Sequence, residues 1–285
     1  MAEEDRPTAK SGITLVLGGG GARGLSHAGV LRRLEEGGIP IRAVVGTSIG
    51  AEIGAFYCAG LSTEEIEELA RGLDWMATLK LFWPSLDGGG GITSGRNIEA
   101  YLREQLGNMA FTDCHPPLRA IATDMRTGDE VVLDRGELVP AVRASIALPG
   151  IIAPFWVEGR LLGDGGMVNP LPVDVARETF GGPVVAVAVH PGALGAGERD
   201  GEEAPFQGPQ EEDQGPALLE SLRRAIQITQ AQLVRWHLQA SPPDLMLTPV
   251  VPGMGTLEFY RGEEALEAGH RTTEAYLPHL RRMAG

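Results

Sequence analysis

The stretch Ile41-Arg-Ala-Val-Val-Gly-Thr-Ser-Ile-Gly-Ala51, IRAVVGTSIGA, runs an apolar, β-branched segment straight into a G-x-S-x-G turn. Ile41–Val45 reads as a buried strand and Ala51–Ala59 as a helix rich in small residues, so Gly46–Gly50 stand at a strand-to-helix junction. A serine at the tip of such a junction is held in a strained conformation that lifts its hydroxyl above the sheet. Gly46 and Gly50 remove side chains that would collide with neighbouring backbone, and the helix aims its N-terminal N–H groups at the attack site. G-x-S-x-G also arises by chance in a chain with 40 glycines. The position of this one, where a buried strand gives way to a helix, tells against chance.

Upstream, Leu15-Val-Leu-Gly-Gly-Gly-Gly-Ala-Arg-Gly24 places four glycines after the strand Ile13–Leu17. Gly19, Gly21 and Gly24 satisfy the G-x-G-x-x-G spacing of a dinucleotide site. That reading needs the following strand to end in an acid for the ribose hydroxyl. The following strand ends in Gly46-Thr-Ser-Ile-Gly50 instead. Bare N–H groups beside a helix start serve an oxyanion as well as a phosphate, and the loop is expected to be an oxyanion hole.

A serine nucleophile needs a base. His27 lies on the helix Ser26–Glu36, His115 precedes two prolines, and His237, His270 and His279 lie on late helices. His190, ending a strand, is the best of a poor set; none has the context of a hydrolase triad. Asp164 is stronger: it ends a strand and is followed by Gly165-Gly166, which permit a sharp turn and close approach. Asp124 also ends a strand but has no glycine clearance.

The remaining pattern alternates strands with helices. Helices are expected from the capping box Ser62-Thr-Glu-Glu65 to Arg71, from a Ser94 cap to Leu106, and over Glu137–Ser145, Pro172–Glu178, Leu218–Leu238 and Gly262–Arg282. Strands are expected at Leu118–Thr123, Glu130–Leu133, a hairpin Phe155–Val157 with Arg160–Leu162, Val184–Val189 and Asp244–Val250. This is an α/β fold, a three-layer sandwich with a mostly parallel central sheet, in a single domain spanning residues 13–285. Residues 1–12 are read as a disordered N-terminus and 191–216 as an acidic flexible insertion. The chain continues from 217 to 285 as C-terminal helices and one strand.

A net charge of −14 argues against nucleic acid, which needs clustered cations. Cys58 and Cys114 are too few for a disulfide framework, no apolar run approaches membrane-spanning length, and MAEEDRPTAK lacks a signal pattern. A cytoplasmic protein is expected, with a peripheral contact at the inner membrane face left open.

Gly19–Gly24, Gly46–Gly50 and Asp164–Gly166, in that order, resemble the three signatures of the patatin-like phospholipases: G-x-G-x-x-G, G-x-S-x-G and D-G-[AG]. The similarity runs from about Leu15 to Arg177. The segment ASIALPGIIAPFWVEGRLLGDGGMVNPLPVDVAR is most similar to the bacterial branch, related to the lysophospholipase domain of neuropathy target esterase. The resemblance implies a patatin-like fold and a Ser-Asp dyad without histidine: Ser48 as nucleophile and Asp164 as base. It assigns the oxyanion hole to the N–H groups of Gly19, Gly20 and Gly21, supported by Arg23, Gly24, Gly46, Gly50, Gly165 and Gly166. A carboxylate base requires burial to raise its basicity.

The implied substrates are acyl esters of lysophospholipids, phospholipids or related lipids, with no cofactor and no metal. Trp75–Leu86, with two Trp, a Phe and three Leu, is an apolar cap over an acyl site or a segment packed on the core. A general carboxylesterase or an acyltransferase would share the acyl-enzyme. A non-catalytic regulatory protein would be expected to have lost Ser48, Asp164 or the glycines, and all are intact.

Overall fold

The computed structural model describes residues 11–84, 91–189 and 218–285, with the side chains of 218–220 and 223 excepted. The expectations for residues 1–10, for His190 and for the acidic segment lie outside the described residues. In chain order the strands are β1 (Ile13–Leu17), β2 (Ile41–Thr47), β3 (Gly91–Thr93), β4 (Leu118–Asp124), β5 (Glu130–Leu133), β6 (Gly150–Ile152), β7 (Phe155–Val157), β8 (Arg160–Asp164), β9 (Val184–Val187) and β10 (Leu245–Leu247). The α-helices are α1 (Ser26–Glu36), α2 (Ile49–Cys58), α3 (Thr63–Arg71), α4 (Trp75–Leu81), α5 (Arg96–Leu106), α6 (Leu138–Ser145), α7 (Val173–Thr179), α8 (Leu218–Ala240) and α9 (Gly262–Ala284).

The main sheet runs β10-β9-β1-β2-β4-β8-β7, with β5 also on β4. From β10 to β4 the pairs are parallel; β8, β7 and β5 add antiparallel pairs at one side. β1 is buried throughout, because helices cover both faces of a parallel sheet and its strands read as continuous apolar runs. Its side chains alternate between two cores. Leu15 and Leu17 join the core under α1, α2 and α9, with Leu31, Phe56 and Leu266. Val16 joins the opposite core under α7 and α8, with Val173 and Val234. That division is the three-layer sandwich expected from the sequence.

Some local expectations shift. α2 starts at Ile49 rather than Ala51, because the chain turns helical directly after Ser48. The cap of α5 is Gly95 at φ 75°, not Ser94. There the close guanidinium of Arg143 leaves no room for a Cβ. The parallel ladder of β3 with β6 carried no sequence signal, being three residues a side. Buried Arg143 fastens both strands by donating to the carbonyls of Ser94 (2.7 Å) and Ala153 (3.0 Å).

Candidate active site

β2 delivers Ser48 at the topological centre of the sheet, at φ 55° and ψ −125°. Ser48 and Glu158 are the two described non-glycine residues with positive φ. Such strain persists only where the surroundings over-determine it, and here they do. Thr47 Oγ1 donates to the Asn169 carbonyl (2.9 Å), and the Ser48 N–H donates to Ser145 Oγ (3.0 Å). Ser145 in turn donates to the Ile121 carbonyl (2.6 Å). A Cβ on Gly50 would lie 2.0 Å from the Leu17 carbonyl oxygen, and one on Gly46 would lie 2.4 Å from that of Gly50. Both glycines are required by the closeness of α2 to β1 and β2.

β8, antiparallel to β4, brings Asp164 beside the elbow across 116 residues of sequence. Ser48 Oγ donates to Asp164 Oδ2 at 2.6 Å, and the Gly166 N–H donates to Oδ1 at 2.7 Å. The Asp164 carbonyl is held by Thr123 Oγ1 at 2.7 Å. Asp164 is 2 % exposed. Burial lifts its pKa to about 6 against the pull of its two hydrogen bonds, a carboxyl poised to exchange a proton near neutral pH. Gly165 and Gly166 follow because a Cβ on the first would strike the Ile121 backbone and one on the second would crowd Asp164 Oδ1 and Gln230.

No histidine among the described residues bonds to either member of this pair. His27 is fully buried, and its Nε2–H donates to the Gly18 carbonyl at 2.8 Å. Burial holds its pKa down at about 4, so it stays neutral and props the start of the glycine loop. His237 pairs with Asp174, which raises its pKa. His270 faces Glu67, His115 the Asp113 carbonyl and His279 Arg282. Asp124 accepts N–H groups of its own turn at Arg126 and Thr127.

The glycine loop lies over the elbow: the Cβ position of Gly19 is 3.5 Å from Ser48 Cβ, and Gly24 packs directly on Ile49. One oxyanion assignment is corrected. The Gly19 N–H is donated to the Pro170 carbonyl at 2.9 Å, and Gly18 is likewise committed to Val187. A donor consumed by the fold cannot also receive an oxyanion. The N–H groups of Gly20 and Gly21 have no acceptor among the described residues, and the next, Ala22, bonds Thr256 at 2.8 Å. Ile49 and Gly50 add the open N–H groups of the first turn of α2. Buried Arg23 lines the adjoining cavity.

That cavity, of about 520 Å³, opens from Ser48 and Asp164. Its walls are largely apolar, with Ile98, Ile146, Ile152 and Phe259 contributing, and Leu81 and Phe82 reach it from the Trp75–Leu86 segment. Phe82 stacks on Phe259 at 5.5 Å and Trp75 meets Tyr260 edge-on at 5.4 Å. So part of the expected cap is ordered helix packed beside the cavity, while Trp75, Met76 and Trp83 stay about 60 % exposed at 63, 67 and 59 %. Among the described residues no group of His, Cys, Asp and Glu could hold a metal ion. No described helix is long and apolar enough to cross a membrane. Ser145 and Asn169, which pin the elbow, escaped sequence reading because each bond joins a side-chain hydroxyl to backbone atoms distant in the chain.

The patatin-like phospholipase family model matches residues 15–177. The chain belongs to that family. An uncharacterized NTE family protein of Mycobacterium tuberculosis is 40 % identical over 168 residues, covering 59 % of this chain and 46 % of that one. Lysophospholipase NTE1 of Coccidioides immitis is 29 % identical over 288 residues, 96 % of this chain and 18 % of that one. This patatin-like chain thus spans less than half the length of both curated relatives. Its fold is also similar to that of Pseudomonas aeruginosa ExoU, solved in complex with SpcU. There the TM-score is 0.54 and the identity 16 %, with 97 % of this chain and 53 % of that one covered.

Proposed function

We propose that this patatin-like chain is a serine acyl hydrolase that cleaves carboxylic esters of lysophospholipids or related lipids through an acyl-enzyme. The observation that carries the reading is the 2.6 Å bond from Ser48 Oγ to a buried carboxylate. Ser48 Oγ attacks the ester carbonyl carbon as its proton passes to Asp164 Oδ2. The carbonyl oxygen becomes an oxyanion received by the N–H groups of Gly20 and Gly21, each donor contributing about 3 kcal/mol to the transition state. The tetrahedral species collapses, the C–O bond to the alcohol breaks, and the departing alkoxide takes the proton from Asp164. Water then gives its proton to Asp164 and attacks the acyl-Ser48 carbonyl; the fatty acid leaves and Ser48 regains its proton. No histidine takes part.

The apolar cavity receives the acyl chain, and the exposed Trp75, Met76 and Trp83 beside it make transient contact with a lipid surface, which favours lipid over small soluble esters. The free, buried thiols of Cys58 and Cys114 fit a reducing cytoplasm, with the substrate met at the inner membrane face. The test is hydrolysis of p-nitrophenyl esters and lysophosphatidylcholine by the wild type, Ser48→Ala and Asp164→Asn. Both variants are expected to be inactive, and a fluorophosphonate is expected to label Ser48. Activity surviving Ser48→Ala overturns the assignment. Cleavage of short soluble esters but of no aggregated lipid leaves a general carboxylesterase.

A further inference from the structure

The mechanism above leaves one carboxyl of the cavity unused. Glu52 lies four residues beyond Ser48 on α2 and lines the same cavity. Four residues are one turn, about 6 Å along the axis, and helical side chains lean toward the helix N-terminus. The Glu52 carboxyl therefore leans toward the Ser48 end of the helix. Ile98, Tyr101, Leu81 and Phe82 line the same cavity, and Tyr101 lies close enough to Glu52 to feel its charge.

The buried carboxyls Glu67 and Asp164 have partners. Glu67 is paired with Arg71 and His270, and Asp164 accepts from Ser48 and Gly166. Glu52 makes no hydrogen bond or ion pair with any described residue. Burial alone acts on it, raising its pKa to about 7. It is partly exposed and lines the cavity. A partnerless carboxyl is costly to keep in an apolar site. Seating a plain alkyl chain against it would strip its remaining water and supply nothing in return.

We propose that Glu52 selects acyl groups bearing a hydroxyl at the β- or γ-carbon, close to the scissile carbonyl. A hydroxyl both donates and accepts, so it satisfies Glu52 in either protonation state, whereas an ammonium would need the ionised form only. The acyl side is indicated by Tyr101, which is near Glu52 and whose ring packs on Phe56 one turn further along α2, and by the apolar residues such as Ile98 that line the cavity with it. Polar residues of the cavity gather at the glycine loop and beside the dyad: Gln227 donates to Thr256, which packs on Gly21, and Gln230 stands beside Gly166. That part suits the alcohol of the ester.

The inference rests on the acyl-hydrolase reading and is tested with p-nitrophenyl decanoate and its β-hydroxydecanoate counterpart. The wild type is expected to favour the hydroxyacyl ester in kcat/KM by about tenfold or more. Glu52→Leu should reverse the preference, mainly by raising kcat/KM for plain decanoate. Glu52→Gln, which keeps hydrogen-bonding capacity, should retain it. Ester turnover that depends on Ser48 but shows the same substrate ratio in wild type and Glu52→Leu overturns this inference alone. A wild type that prefers plain decanoate does the same. If the Leu variant does not fold, loss of the wild-type preference in Glu52→Gln, or its absence from the wild type, is the overturning result. No Ser48-dependent turnover of either ester overturns the acyl-hydrolase reading and this inference with it.

Discussion

Replacing Asp164 with Asn should abolish turnover and, above neutral pH, make the protein more stable. Burial raises the Asp164 pKa from 3.8 to about 6. The folded state thus holds this proton more tightly than the unfolded chain. Its stabilising effect is complete below the unfolded pKa and is lost as pH rises through the folded value. A shift of about two units corresponds to ~3 kcal/mol of ionisation cost carried by the native state at pH 8. Asn stays neutral at every pH and can keep both local bonds, accepting from the Gly166 N–H and donating to Ser48 Oγ. Any fixed cost of the substitution cancels when two pH values are compared. Urea unfolding of both proteins at pH 4 and pH 8 measures the difference. The Asn variant should gain about 2.4 kcal/mol relative to wild type between them, most of it between pH 4 and 6, or roughly 5–10 °C in Tm. A gap that is the same at both pH values, or one that moves in favour of the wild type between pH 4 and pH 8, would refute the claim that Asp164 is a base held at an energetic cost.

The same group governs the rate: kcat/KM should climb about tenfold per pH unit up to about pH 6 and then level, and a midpoint near 4 would show a solvated carboxylate. His27→Ala should lower kcat more than it raises KM, because the Gly18 carbonyl loses its donor and the loop carrying Gly20 and Gly21 loosens; His27→Gln should restore part of the loss. Gly50→Ala, with its new methyl 2.0 Å from a β1 carbonyl, should destabilise by at least ~3 kcal/mol in urea titrations; a soluble variant of unchanged midpoint would contradict the packing described. Trp75→Ala combined with Trp83→Ala should reduce turnover of vesicle-borne lysophosphatidylcholine more than that of p-nitrophenyl butyrate. Equal losses on the two substrates would remove the lipid-surface role.

Periodicity and turn chemistry are local properties, and what depends on them was legible in the chain itself. The β-branched run Ile41–Val45 ending in Gly46-Thr-Ser-Ile-Gly50 announced a strand-to-helix elbow, and the glycines after Leu17 and after Asp164 marked where backbone must pass close to backbone. The alternation of strands and helices implied a sheet covered on both faces, as Leu15 and Val16, facing opposite cores, confirm. Three-residue ladders such as β3 with β6 are too short to leave a periodic trace. The cap at Gly95 depends on Arg143, distant in sequence.

The candidate site divides the same way. Residue types and spacing singled out Ser48, Asp164 and the glycine loop. Only the tertiary structure decided that Ser48 and Asp164 stand 2.6 Å apart, that Pro170 takes the Gly19 N–H, and that Glu52 lines the cavity without a partner among the described residues. Each is a contact between segments far apart in the chain, or the lack of one. Burial and hydrogen-bond satisfaction are properties of the packed whole, so the basicity of Asp164 and the solitude of Glu52 exist only once the sheet has assembled around them.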